Sequence, residues 1–254
     1  MSTKLAFGAI LLFGACALSA CKDREEGAEQ TETRPLSDFS AVDLEGGGEL
    51  DIQVGKAESV TVRASRETLA HLRTEVKDQT LTVRRDSNDW SFGHSRSVNL
   101  TITVPNLTAL SVEGGNHVTV RGLDGGNARF DLRGATSIHA SGKLDGLKVH
   151  MQGAGEADFG KVIAQTVDVK VEGVGKVTVN ARQKLAATMN GLGAIRYIGH
   201  PTDVTTNLNG FGSISQSDDD DDKSAPPDAK PNAADERPQR DEKKSEATDS
   251  TAVI

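Results

Sequence analysis

The feature that most constrains this fold is a glycine-centred repeat that recurs six times between positions 114 and 212. The first glycines of successive units are 20, 19, 20, 18 and 19 residues apart. A unit this short cannot enclose a hydrophobic core alone, so neighbouring units must stack. The first glycines are Gly114, Gly134, Gly153, Gly173, Gly191 and Gly210, and in four units a second glycine follows two residues later, at Gly155, Gly175, Gly193 and Gly212.

Apolar and polar residues alternate on both sides of each glycine. This period of two is typical of a β-strand with one buried face. The same pattern surrounds Gly46, an isolated seventh unit, with Val42 and Leu44 before the glycine and Leu50 and Ile52 after it. Each unit therefore reads as two short strands joined at a glycine, which allows a bend where a Cβ would be excluded.

We predict an all-β fold, a right-handed parallel β-helix or β-solenoid with coils of about 18–20 residues. Residues 59–64, 80–85 and 98–104 are predicted strands, and residues 66–73 a short helix. Residues 86–97 look like a long hairpin loop between the last two strands. We expect this β-rich first third to cap the stack, because an uncapped coil exposes strand edges that aggregate.

The first twenty residues have the plan of a signal peptide, with one cation and then an apolar stretch. The run Leu18-Ser19-Ala20-Cys21 resembles the lipobox of bacterial lipoproteins, in which the cysteine is lipidated and becomes the mature N-terminus. An ordinary cleaved signal and an uncleaved anchor are the alternatives. Lys22 follows the cysteine, where Asp commonly retains a Gram-negative lipoprotein in the inner membrane, so the outer membrane is expected.

Composition divides the remaining chain into three segments. Residues 21–35 lack large apolar side chains and are predicted to be a disordered tether. Residues 36–216 form the expected β-solenoid, and residues 217–254, with 12 acidic and six basic residues, a disordered acidic tail. Cys16 would leave with the signal and Cys21 would carry lipid, so no disulfide can cross-link the body.

Several functions are disfavoured by the sequence. A net charge of −8 disfavours nucleic acid as a partner. The six histidines show no metal-site spacing, and nothing indicates a cofactor. Glu156, Asp158 and Lys176 form the best outward cluster for acid–base catalysis, but mixed charges are usual on a solvated sheet face. We therefore predict a protein that is not an enzyme.

Two other side-chain sets stand out. Trp90 and Phe92 are an aromatic pair in the predicted loop, and could present a contact for a sugar ring or a partner protein, or could fold down onto the cap. Asn190 and Asn209 precede successive repeat glycines, which predicts an amide ladder along the stack.

The chain resembles the auto-transporter adhesin, head GIN domain family. The resemblance covers most of residues 39–216 and rests on the lipobox, an apolar opening strand that starts at Phe39, a Val-Pro-Asn-Leu step that starts at Val104, and the Gly-x-Gly array. The first two repeats depart from the pattern, because Asn116 and Thr136 stand where the second glycine would be. The family implies a β-helical fold at the bacterial surface.

These observations predict a membrane-anchored lipoprotein that acts as a non-catalytic binding or adhesion module. Its partners would be the membrane, through the lipid, and a carbohydrate or an envelope protein. An envelope scaffold or assembly lipoprotein is the first alternative, and a carbohydrate-active enzyme on a β-helix is the second.

Overall fold

The computed structural model of the protein describes residues 29–86 and 98–217. Of these residues, 82% lie in strands and 3% in helix, so the predicted all-β class is confirmed. In chain order the elements are β1 (Glu29–Arg34), β2 (Ala41–Glu45), β3 (Gly48–Val54), β4 (Ser59–Ser65), α1 (Arg66–His71), β5 (Leu72–Lys77), β6 (Thr80–Arg85), β7 (Val98–Val104), β8 (Ala109–Asp124), β9 (Asn127–Ile198) and β10 (Asp203–Gln216).

The repeats pair side by side in the register that their glycines predict. β8 carries the first repeat, β9 the next four and β10 the last. β8 is parallel to the start of β9, with Gly114 opposite Gly134. β10 is parallel to the end of β9, with Gly210 opposite Gly191. Matching side chains of neighbouring repeats therefore lie next to one another.

The isolated unit around Gly46 joins the same array. β2 and β3 both pair with β8 in parallel, which places Val42 opposite Leu110 and Ile52 opposite Val120. The predicted frame is therefore correct for two segments that are far apart in sequence. The elements from β4 to β7 lie between these two segments in the sequence.

The first third extends the sheet beyond β2 and β3. β6 adds to β2 and β7 adds to β3, both in parallel. β5, β4 and β1 then add in antiparallel orientation. The strand order is β1-β4-β7-β3-β8-β2-β6-β5, with β9 on the other side of β8 and β10 beyond it. The sheet as a whole is thus mixed rather than parallel, and it is nearly closed.

The predicted hairpin around residues 86–97 is wrong. β6 and β7 do not pair with each other, because each takes a neighbouring segment of the β2–β3 unit as its partner. Gly46 and Gly47 make the short connection within that unit. A long connection between strands therefore did not indicate a hairpin.

The predicted tether also ends earlier than expected. Glu29–Arg34, within the segment of 21–35, forms β1 and pairs with β4 over all six residues. Backbone hydrogen bonding holds this edge strand, and Arg63 adds an ion pair to Glu29 at 3.1 Å. Because β1 has no apolar side chain to bury, the composition of the segment gave no sign of it.

The buried side chains of the repeats and of the first third form one continuous core. Phe130 and Phe159, both fully buried, meet edge to face with ring centroids 4.8 Å apart. The short helix α1 contributes Leu69 to this core, and its first turn is capped by the hydroxyl of Ser65, which accepts a hydrogen bond from the Thr68 amide. The core thus runs past the repeats into the first third.

The first glycine of every repeat has a positive φ, from +93° at Gly134 to +159° at Gly191. A Cβ on these glycines would clash with the backbone carbonyl oxygen of the glycine in the preceding unit. The second position is less restrictive, because Asn116 and Thr136 occupy it as buried residues. Only the first position is glycine in all six repeats, but where the second glycine is present, at Gly155, Gly175, Gly193 and Gly212, a Cβ would likewise clash with the backbone oxygen of the preceding unit.

Candidate binding surface

Outward-facing side chains form columns that cross the repeats, because residues at equal distances from the repeat glycines are in register. On the face that precedes the glycines, the column three residues before them contains Asp131, His150 and Lys170. The column one residue before them contains Gln152 and Glu172. This face carries charge in the middle repeats and becomes neutral towards β10.

A network of ion pairs joins these columns. The Nε2 of His150 lies 3.0 Å from Glu172 Oε2, and its Nδ1 lies 3.7 Å from Asp131 Oδ1. Lys170 pairs with Glu172 at 2.6 Å, and Gln152 donates a hydrogen bond to the same carboxylate at 2.8 Å. Hydrogen bonds from Lys170, Gln152 and His150 lower the pKa of Glu172 to about 2, so this carboxylate stays charged near neutral pH.

Asp131 is held as a carboxylate in the same network. Partial burial raises the pKa of Asp131, but the hydrogen bond and positive charge of Arg129 outweigh burial and leave it below its usual range. The Nε of Arg129 lies 2.6 Å from Oδ2 of Asp131. Because each acid here has its own cationic partner, the network fixes side-chain positions and leaves no carboxyl group protonated for acid catalysis.

A groove of about 580 Å³ runs across five repeats beside this face. Its apolar lining contains Ala128, Leu147 and Val167, which are all buried. The polar and charged side chains that line it are Thr108, Asn127, Arg129, Lys148, Thr166, Asp168 and Lys184.

The cations of the groove remain accessible although each has an acidic neighbour. Lys148 lies 3.2 Å from Asp168, and Lys184 lies 2.9 Å from Asp203. Both lysine side chains are more than half exposed, at 53% and 56%. Exposed pairs of this kind contribute little stability, so a ligand can compete for the ammonium groups at small cost.

Gly146 helps to keep the groove open. A Cβ at this position would clash with the side-chain oxygen of Asn127 and would lie 3.3 Å from the Thr166 hydroxyl. No sequence motif indicated the groove, because its lining residues lie five to seven positions before the repeat glycines. The available signal was small residues at these positions, Gly146 and Ala128 among them.

The predicted acid–base cluster separates into two ordinary surface interactions. Lys176 and Glu156 pair across adjacent repeats at 2.9 Å, and the hydrogen bond from Lys176 lowers the pKa of Glu156. Asp158 instead accepts a hydrogen bond from the Gly160 amide at 2.9 Å. Adjacency of the three residues in the repeat register therefore produces an ion pair and a backbone contact.

Other residues singled out in the sequence have simple surroundings in the structure. The Asn209 side-chain amide donates to the Asn190 side-chain oxygen at 3.1 Å, which confirms the amide ladder at this step. His117 and His139 are diagonal neighbours with ring centroids 5.9 Å apart. Within residues 29–86 and 98–217, no three His, Cys, Asp or Glu side chains gather closely enough to hold a metal ion.

Two predicted sites lie outside the described residues. These are Cys21, the predicted lipidation site, and the aromatic pair Trp90 and Phe92. No helix in the described part of the chain is long and apolar enough to cross a membrane.

Comparison with known proteins gives a family match and a similar solved structure. A family model described as "Putative auto-transporter adhesin, head GIN domain" matches residues 38–201. A solved putative adhesin from Bacteroides fragilis is similar in structure, with a TM-score of 0.59 and 21% identity, over 75% of this chain and 97% of that one. That likeness shows the fold. No curated protein matches the chain.

Two further solved structures are less similar. A putative lipid binding protein from Parabacteroides distasonis has a TM-score of 0.43 and 18% identity, over 76% of this chain and 98% of that one. A putative adhesin from Parabacteroides merdae has a TM-score of 0.43 and 14% identity, over 76% of this chain and 97% of that one.

Proposed function

The chain belongs to the auto-transporter adhesin, head GIN domain family, and from this membership we propose that it is a lipid-anchored binding module of the bacterial surface. It binds its partner without catalysing a reaction. The observation that carries this function is the groove across five repeats, which has small residues on its floor and accessible cations at its rim.

The proposed anchor is a lipid on Cys21 in the outer membrane. It is supported by the lipobox ending at this cysteine and by Lys22 in place of an inner-membrane retention Asp. Several acyl chains would hold the protein stably, because each buried CH₂ contributes about 0.8 kcal/mol. The chain enters the described body through β1, at one end of the strand order, whereas β10 lies beyond β9.

Metabolic labelling tests the anchor. Cells given a palmitate analogue should label the wild-type protein, and replacement of Cys21 by Ala should abolish the label and release the protein from the membrane fraction. Cys16→Ala is the matched control, since the signal segment that contains it would be removed. Equal labelling of the Cys21→Ala variant would contradict the anchor.

We further propose that the repeats wind as a right-handed parallel β-helix with coils of 18–20 residues. The in-register glycines support this arrangement, because Gly173 lies against Gly153, and Gly191 against Gly173. Such a winding gives a binding face that extends over several coils, as expected for an adhesion module that meets a long, repetitive partner.

The groove is suited to an acidic carbohydrate. Gly146, Ala186 and the methyl group of Thr166 offer a floor of small residues for the C–H face of a sugar ring. Lys148 and Lys184 can pair with carboxylate or sulfate groups on successive sugars. A protein partner would be expected to need a larger contact than this groove provides.

Binding of the protein to a panel of acidic and neutral polysaccharides tests this function. We expect acidic chains to bind, and Lys148→Ala with Lys184→Ala to weaken binding by about tenfold or more, as loss of one or two charge-assisted contacts implies. Lys77→Ala, an exposed lysine of β5 outside the groove, should change little.

Other variants separate the alternatives. Trp90→Ala with Phe92→Ala addresses the aromatic pair, and loss of binding in this variant alone would place the contact there. Glu156→Ala with Asp158→Ala addresses the enzyme alternative. Polysaccharide cleavage by the wild type that disappears in this variant would overturn the proposed function.

A further inference from the structure

The last repeat presents an open end of the core. Within the described chain, β10 pairs with β9 along one edge, and its other edge has no partner strand. Val204 and Leu208 are 43% and 42% exposed, although Leu185 and Met189, their register partners in β9, are completely buried. The inward-facing side chains of β10 are thus only half covered, and Phe211 between the two glycines is 83% exposed.

At the opposite end of the array, further strands cover the parallel ones. There β4 and β5 cover the parallel strands in antiparallel orientation, and β1 adds to β4. β10 also lacks the features that usually protect an edge strand. It contains no Lys, Arg or Pro, its pairing runs without a bulge over fourteen residues, and Asp203 is its only charged residue.

The sequence of β10 is nearly palindromic around Phe211, so similar residue types lie at equal distances before and after it. Counting outward from Phe211, the two directions read Gly and Gly, Asn and Ser, Leu and Ile, Asn and Ser. If two copies paired antiparallel about a two-fold axis at Phe211, Leu208 of one copy would face Ile214 of the other. Between Thr206 and Gln216, where residues of the two copies face one another, polar side chains would face polar ones and no charged residues would meet. Asp203 lies outside this stretch and would face position 219 of the other copy.

The charge of the sequence that follows β10 favours the same orientation. The acidic segment begins at Asp218, immediately after β10. Antiparallel pairing places the two acidic segments at opposite ends of the shared edge, whereas parallel pairing would bring ten Asp residues of positions 218–222 together. A two-fold arrangement also closes after two copies, because both open edges are used.

We propose that the outer edge of β10 is a homodimerisation surface, on which a second copy of this chain pairs antiparallel and completes the open end of the core. This contact is independent of what the groove binds. It lies at the end of the array away from the first third, so it would join two molecules through their last repeats.

The mass of the full chain, extracted in detergent and measured by light scattering, tests this proposal. We expect two chains per particle for the wild type. Leu208→Lys with Ile214→Lys should reduce the mass by half, because lysines on the edge prevent strand pairing. Val174→Lys, at an exposed apolar position two repeats earlier, should leave the dimer intact.

Each alternative result overturns the proposal. One chain per particle in the wild type, or two in the lysine double variant, would exclude this dimer. A protein truncated after Ser217 tests whether the chain's own C-terminal segment covers this edge instead. In that case dimers would form only in the truncated protein. Circular dichroism checks the fold of the lysine double variant, because Ile214 packs partly against the core. If strand content falls, Leu208→Lys alone, at a position that is 42% exposed, replaces the double variant.

Discussion

Replacement of Met189 by Asp is expected to destabilise the protein by about 4 kcal/mol or more. Met189 is completely buried in β9, so the new carboxylate would lie in the core without a partner. For a body of this size, the loss corresponds to a fall in Tm of roughly 10 °C or more. Thermal unfolding followed by far-UV circular dichroism measures it.

Thr188→Asp provides the matched control, one residue away on the outward face. Thr188 is only partly buried, and it lies opposite Asn207 of β10, so a carboxylate there meets water and a neutral neighbour. We expect a change below about 1 kcal/mol. If Met189→Asp and Thr188→Asp had equal Tm values, the assignment of inward and outward residues would be incorrect.

This alternation is also why much of the fold could be predicted. A period of two around a glycine specifies which side chains are buried and where the strand turns, and both properties reappear in every repeat. The unit around Gly46 demonstrates the strength of the signal, because it shares the frame of the repeats and pairs with β8 although β4 to β7 separate the two in sequence.

Partnership between strands was harder to predict in the first third. The boundaries of β6 and β7 were correct, but no local pattern records that β6 joins β2 and β7 joins β3. Pairing depends on which strand edges remain free after the whole chain has folded. β1 shows the same limit, since its six polar residues bury no apolar surface and are held by an available edge of β4.

The candidate binding surface likewise has a part that the sequence predicted and a part that it did not. Register predicted the contacts between adjacent repeats, such as Lys176 with Glu156 and Asn209 with Asn190. The groove was not predicted, because it depends on the space left by Gly146 among its neighbours and not on a residue type with its own chemistry. A concave surface made by missing side chains leaves little trace in a motif search.

The second large effect is expected from Gly173→Ala, because both backbone conformation and packing oppose a side chain there. Gly173 has a φ of +134°, which L-residues rarely adopt, and a Cβ would clash with the Gly153 carbonyl oxygen. Strain and overpacking together should cost about 3–5 kcal/mol. Urea unfolding should show this as a lower midpoint with an unchanged slope.

Gly115→Ala distinguishes this requirement from a general preference for glycine in the repeats. Gly115 does not have a positive φ, and a Cβ added there would have no atom of the described chain within 4 Å beyond its immediate neighbours. The substitution should therefore change stability by less than about 1 kcal/mol, and reduced freedom of the unfolded chain opposes any loss. If Gly115→Ala were as damaging as Gly173→Ala, close contact between successive repeat glycines could not explain why the first glycine recurs.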